Sequence, residues 1–168
     1  KEYSCEVRKV KTVFDEMFEE LQELYNSVDI KTEIEIQGDK IIIDEEAFLS
    51  LFKNLIDNSI KYSKKDPQIN IKLSKNKNSI KIKYTDNGIG ISAKDEKKIF
   101  QKFFRSERKE FGKVRGSGLG LYIVREIVKY HLGKIKATSK GREEGTIFEI
   151  SLPEYDSLSS RQRKKLLK

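Results

Sequence analysis

The 168-residue chain holds one cysteine, Cys5, and one histidine, His131. A single thiol excludes an internal disulfide framework and a cysteine zinc cluster, and suits reducing, cytoplasmic surroundings. A single imidazole excludes a multi-histidine metal site, and any Ser-His-Asp triad would have to be built on His131. Tryptophan is absent, and the two prolines, Pro67 and Pro153, sit at the edges of periodic segments. No apolar run approaches the ~20 residues that a membrane-spanning helix needs. No secretory leader is visible, and the chain opens at Lys1 without a methionine, so it is expected to be a piece of a longer protein.

Charge is abundant: 35 Lys and Arg against 27 Asp and Glu, a net of +8. The lysines are scattered and interleaved with acids, which reads as a solvated surface; no nucleic-acid-binding signature accompanies them. One cluster stands apart, Arg161-Gln-Arg-Lys-Lys-Leu-Leu-Lys168, and is expected to be a solvated terminus.

Periodicity predicts a helix over 10–28, with Val10, Val13, Phe14, Met17, Phe18 and Leu21 on one face. Strand 30–36 follows, and Gly38-Asp39 turns the chain into Ile41-Ile42-Ile43, expected as its paired strand. Asp44 caps a helix over 45–63. Ile69, Ile71 and Leu73 alternate in one strand and Ile80, Ile82 and Tyr84 in its partner. A polar, glycine-punctuated stretch spans 87–118; then come a helix at 119–132 and strands near 134–139 and 146–152. Hairpin strands mixed with three long helices suggest one helical layer on a largely antiparallel sheet.

Two glycine-rich stretches carry chemistry. Asp86-Asn-Gly-Ile-Gly90 follows a strand, and Gly116-Ser-Gly-Leu-Gly120 opens a helix, where free N–H groups suit phosphate oxygens. Either alone is equally a turn and a helix start; neither matches a dinucleotide fingerprint or a P-loop. Asp86 continues the phase of Ile80, Ile82 and Tyr84, so its carboxylate is expected on the buried face, where it needs a donor such as the amino group of adenine. Thr146 shares the inward phase of Phe148, Ile150 and Leu152. On the 45–63 helix the apolar stripe is Phe48, Leu51, Phe52, Leu55, Ile56 and Ser59, while Asn54, Asn58, Lys61 and Tyr62 share an adjoining edge about 100° wide. Asn58 can give Mg²⁺ a hard oxygen, with nucleotide phosphates and waters as further ligands; Lys61 can neutralise phosphate.

In this order the segments resemble the ATP-binding catalytic domain of two-component sensor histidine kinases, within the superfamily of gyrases, heat-shock chaperones and mismatch-repair ATPases. Asn54–Ser63 resembles the asparagine box, Asp86–Ile91 the first glycine box, Ile99–Arg105 the phenylalanine box, Gly116–Leu121 the second glycine box, and Gly145-Thr146 a late Gly-Thr. The resemblance implies an α/β (α+β) two-layer sandwich of the Bergerat type, a mixed, mostly antiparallel five-stranded sheet covered on one face by three helices. Residues 1–153 form the domain, with a lid over about 91–116, and 154–168 a basic tail. The cofactors implied are ATP and Mg²⁺, with Asn58 the metal ligand and Asn54, Asn58, Lys61 and Arg105 the catalytic group. The nucleotide would be held by these side chains with Tyr62, Asp86, Gly88, Gly90, Ile91, Phe104, Gly116, Ser117, Gly118, Leu119, Gly120, Leu121 and Thr146. Ser117 is expected at the N-cap of the following helix, and Phe100, Phe103 and Phe104 are expected to anchor a short helix of the lid.

The implied reaction passes the γ-phosphoryl to a histidine on a separate dimerisation domain, in a homodimeric parent, and thence to a response-regulator aspartate. No nucleic acid is implied, and the fragment itself is expected to be monomeric and cytoplasmic, its parent a sensor of a class that includes inner-membrane proteins. Asn54 stands where the gyrase and chaperone branches carry a water-activating glutamate, and asparagine cannot act as a base. The alternatives are a hydrolytic ATPase of those branches, a serine-directed anti-sigma kinase, and a non-enzymatic nucleotide or nucleic-acid binder.

Overall fold

The computed structural model describes residues 2–106, 116–139, 141 and 144–168. Its elements run β1 (Glu6–Lys9), α1 (Val10–Leu24), β2 (Asp29–Ile34), β3 (Lys40–Ile43), α2 (Glu45–Lys61), β4 (Gln68–Asn76), β5 (Ser79–Asp86), α3 (Gly120–Tyr130), β6 (Lys134–Thr138), β7 (Ile147–Pro153) and α4 (Ser160–Leu166). The main sheet has the order β2-β4-β5-β7-β6. Only the β2–β4 pair is parallel, with Ile30 opposite Ile69; β4–β5, β5–β7 and β6–β7 are antiparallel.

One face of this sheet is apolar because alternate residues point the same way. Ile69, Ile71, Leu73, Ile80, Ile82, Tyr84, Ile150 and Leu152 are all buried on it, as are the stripes of α1 and α2. Between the helices Phe14, Phe18 and Phe52 pack near edge-on or tilted, at 5.5–6.3 Å, a geometry that adds to simple burial. Asp44 caps α2 as expected, its carboxylate accepting from the Ala47 N–H at 2.8 Å. Glu45 and Glu46 at the start of α2 and Lys61 at its end complement the helix dipole.

The expected β2–β3 hairpin does not form. β3 instead pairs with β1, Val7 opposite Ile42, in a separate two-stranded sheet. All three isoleucines of β3 are buried. Ile41 and Ile43 face the main core, but Ile42 faces the other way, and Leu158 and Leu166 cover it. The tail is therefore not simply a solvated end. Its cationic side chains are largely exposed, but α4 is closed by a capping box, Ser159 with Gln162, and Arg163 stacks on Tyr155 at 4.1 Å. Among the described residues no helix is long and apolar enough to cross a membrane.

His131 ends α3 and is only 2% exposed. The Asp44 backbone N–H, which can only donate, points at Nε2 at 3.0 Å. Nδ1 therefore carries the proton and donates to the Ile127 carbonyl at 2.7 Å. The ring also stands edge-on to Phe48. Burial pushes its pKa below the ordinary histidine value. Above about pH 6.5 His131 is neutral folded or unfolded; below it the unfolded chain takes up the proton first, so stability falls with pH towards the depressed folded value. Denaturant midpoints should fall between pH 7.5 and 5.5, and the fall should shrink in His131→Gln; an unchanged slope in that variant would remove His131 as the cause.

Candidate functional site

Asp86 is the last residue of β5, and its side chain is turned inward with those of Ile80, Ile82 and Tyr84. It is 8% exposed. Its Oδ1 accepts the N–H groups of Gly88 at 2.9 Å and Thr146 at 3.0 Å. Its Oδ2 accepts the Ser59 hydroxyl from α2 at 3.0 Å. Burial pushes the carboxyl above the usual carboxylate range, and these donors pull it part of the way back.

The backbone around it is tightly closed. The Asp86 N–H donates to the Thr146 carbonyl at 3.0 Å, and the Gly145 N–H to the Gly88 carbonyl at 2.9 Å. Gly145 has φ +70°, and any β-carbon there would run into the Asp86 carbonyl oxygen. Glycine is the residue that meets both conditions without strain.

Asp86 and Thr146 line a cavity of about 150 Å³. Ile91, Phe104 and Leu121 supply apolar lining, and Asn58, Tyr62, Gly88, Gly90 and Arg105 also border it. The edge of α2 continues from there towards the start of α3. A β-carbon on Gly120 would lie 2.9 Å from Asn54 Oδ1 and 3.8 Å from Asn58 Nδ2. Gly116 abuts the Lys61 ammonium in the same way, and that ammonium lies 5.1 Å from the centre of the Tyr62 ring. The helix α3 begins here without a side-chain cap. The cavity thus offers a carboxylate acceptor, and the adjoining edge of α2 a lysine beside the open N–H end of a helix.

Most of the residues singled out from sequence converge on this one place, with some differences. Leu119, not Ser117, is the N-cap of α3. The Ser117 hydroxyl lies two residues earlier and accepts from the Leu119 N–H at 3.3 Å. Gly118 adopts φ +70° against the backbone of Phe103 and Phe104. Phe100 is buried and faces Phe148, but Phe103 is 64% exposed at φ +64°, so it does not anchor the lid. Of the expected lid, 107–115 lie outside the described residues. Sequence phase assigns Ser59 and Tyr84 to the core; their hydroxyls meet at 2.7 Å beside Asp86. The signal for Ser59 was a serine set in an otherwise apolar stripe.

Comparison with known proteins decides the family. The family described as histidine kinase-, DNA gyrase B-, and HSP90-like ATPase matches residues 43–156. The chain belongs to this ATPase family. Sensor-like histidine kinase SenX3 of Mycolicibacterium smegmatis is 35% identical over 118 residues, 70% of this chain and 30% of that protein. Sensor protein RprX of Bacteroides fragilis is 37% identical over 133 residues, 78% of this chain and 25% of RprX. The solved structure of the mycobacterial sensor histidine kinase MprB matches with a TM-score of 0.72 at 25% identity, over 89% of this chain and 97% of that one. The chain is thus a histidine-kinase ATPase domain, and it spans less than a third of the length of these curated relatives.

The family implies ATP. Among the described residues no group of three or more His, Cys, Asp or Glu could hold a metal by itself. The donor set still fits Mg²⁺, because Asn58 offers one hard amide oxygen at the cavity wall and this ion commonly takes its other ligands from phosphate and water.

Gly145→Ala should lower the unfolding free energy by at least about 2 kcal/mol, from the left-handed backbone and the contact with Asp86. Gly38→Ala, with no atom within 4 Å of the added carbon, should change it little. Equal chemical-denaturation midpoints for the two variants would dismiss that contact.

Proposed function

We propose that this domain binds ATP with Mg²⁺ and presents the γ-phosphoryl to a histidine on a separate dimerisation domain of its parent, for relay to a response-regulator aspartate. One observation carries the reading: a buried carboxylate acceptor, Asp86, lines the cavity, and the edge of α2 that borders it with Asn58 and Tyr62 also carries Lys61, whose ammonium lies against Gly116 ahead of the uncapped start of α3. A purine amino group suits the first, and a polyphosphate suits the second. Tyr62, Ile91, Phe104 and Leu121 give the base and sugar a surface between them. Lys61 would offset phosphate charge, and Arg105, which lines the cavity, would do the same for the transferred group. Mg²⁺, held by Asn58 and the phosphates, would neutralise charge that develops on the phosphate oxygens. Phosphoryl transfer asks mainly for such positioning and electrostatics.

Asn54 decides between transfer and hydrolysis. Its amide N–H₂ donates to the Ser50 carbonyl at 2.8 Å, one turn back on α2. The group has no basic lone pair to accept a proton from water, so an attacking water is not activated there. The γ-phosphoryl is then kept for an acceptor brought in by another domain. His131 is not that acceptor: it is buried and both ring nitrogens are engaged.

Calorimetry should show ADP binding that strengthens with Mg²⁺. Asp86→Asn should weaken it at least tenfold without lowering the denaturation midpoint. In that variant the Ser59 proton can turn to the Leu55 carbonyl, already 3.0 Å away, and the new amide can donate to Ser59, whereas a base amino group would meet another donor. Unaltered affinity would end the adenine reading.

With γ-labelled ATP, the domain alone should retain no label and should pass it to a histidine of a supplied dimerisation domain. Asn54→Glu should divert label to free phosphate, raising hydrolysis about tenfold or more. Label retained on His131, or unchanged hydrolysis in that variant, would count against the mechanism.

A further inference from the structure

The Tyr84 hydroxyl belongs to a wholly buried side chain, and Ser59 Oγ lies 2.7 Å from it. Ser59 Oγ in turn lies 3.0 Å from the Leu55 carbonyl and 3.0 Å from Asp86 Oδ2. Two hydroxyl protons must be shared among these groups. If Tyr84 accepted the serine proton, its own would point at no acceptor among the described residues, which is costly for a buried group. Tyr84 therefore donates to Ser59. The serine proton is left to choose between a neutral carbonyl and a carboxylate, and the charged acceptor makes the stronger bond.

The count at Asp86 follows. Oδ1 has both lone pairs taken by the Gly88 and Thr146 N–H groups. Oδ2 has one taken by Ser59, so a single acceptor position remains for a ligand in the cavity that Ser59 and Asp86 both line. Two fixed bonds on one oxygen and one on the other leave the carboxylate no freedom to rotate.

We propose that Tyr84 and Ser59 form a donor relay that aims the last free lone pair of Asp86 at the amino group of the bound base, making them positioning residues for base selection. This rests on the reading of the cavity as an adenine-nucleotide site. Without Ser59, Oδ2 would present two open positions to water and the carboxylate could rock, so preference for a 6-amino purine would fall. Tyr84 acts only through Ser59, by holding its oxygen so that the proton points at Asp86.

The test is calorimetric titration with ADP and with purine riboside 5′-diphosphate, which lacks the amino group, on wild type, Ser59→Ala, Tyr84→Phe and the double variant. Wild type should prefer ADP. Ser59→Ala should weaken ADP about tenfold and the analogue less than twofold. Tyr84→Phe should weaken ADP by a smaller factor, and the double variant should match Ser59→Ala. The double variant also leaves no stranded tyrosine hydroxyl, so it keeps the test open if Ser59→Ala folds poorly. Equal losses on both nucleotides, or a Tyr84→Phe loss that adds to that of Ser59→Ala, would overturn the relay while the site reading stood. A wild type with no preference for ADP would overturn both.

Discussion

Three donors from three separate parts of the chain converge on the Asp86 carboxylate: the N–H groups of Gly88 and Thr146, and the Ser59 hydroxyl. Burying a carboxylate is costly unless such partners are provided. The condition reaches well beyond the side chain. It requires the end of β5 to meet the start of β7 in register, a bare Gly145 beneath the Asp86 carbonyl, and a polar residue in the stripe of α2 that otherwise faces the core. The same hydrogen bonds that close the sheet at this end also build the floor of the site, so folding and site assembly are one event here.

Helix α2 serves both the core and the site, and its ends are fixed accordingly. Asp44 caps its first turn, takes the Ser4 N–H from the entering chain at 2.7 Å, and gives its own N–H to His131 at the end of α3. That node locks the start of α2 to the finish of α3. The phase of Asn54, Asn58 and Lys61 relative to Gly116 and Gly120 is therefore set by packing rather than by a ligand. Elements held in this way can present groups at fixed distances, the usual requirement for phosphoryl chemistry.

The antiparallel strands were legible because one face of each is buried and the other wet, which writes a period of two into the sequence. Asp86 and Thr146 were legible for the same reason, as continuations of a phase. The pairing of β3 was not. Ile41, Ile42 and Ile43 do not alternate, since both faces of that strand are covered, and β1 has only Val7 as an apolar residue to announce it. Nearness in sequence favoured a hairpin; the parallel β2–β4 pair needed the long crossover that α2 supplies. The tail misled through its charge. Leu158 and Leu166 fix its position, while the five cations after Asp156 dominate its composition.

Periodicity reports which way a side chain faces, not which partner it meets, and the site shows where that distinction matters. Ser59 has the spacing of Phe52, Leu55 and Ile56, so helical phase assigns it to the core, correctly. A hydroxyl in that place is still an obligation, because a buried donor must find an acceptor. The sequence carries the obligation in plain view. Its resolution depends on the register that brings Tyr84 and Asp86, two residues apart on β5, to the same side of the sheet and under the same turn of α2. Polar residues inside apolar stripes are therefore the positions at which a periodic reading should be followed by a count of protons and lone pairs.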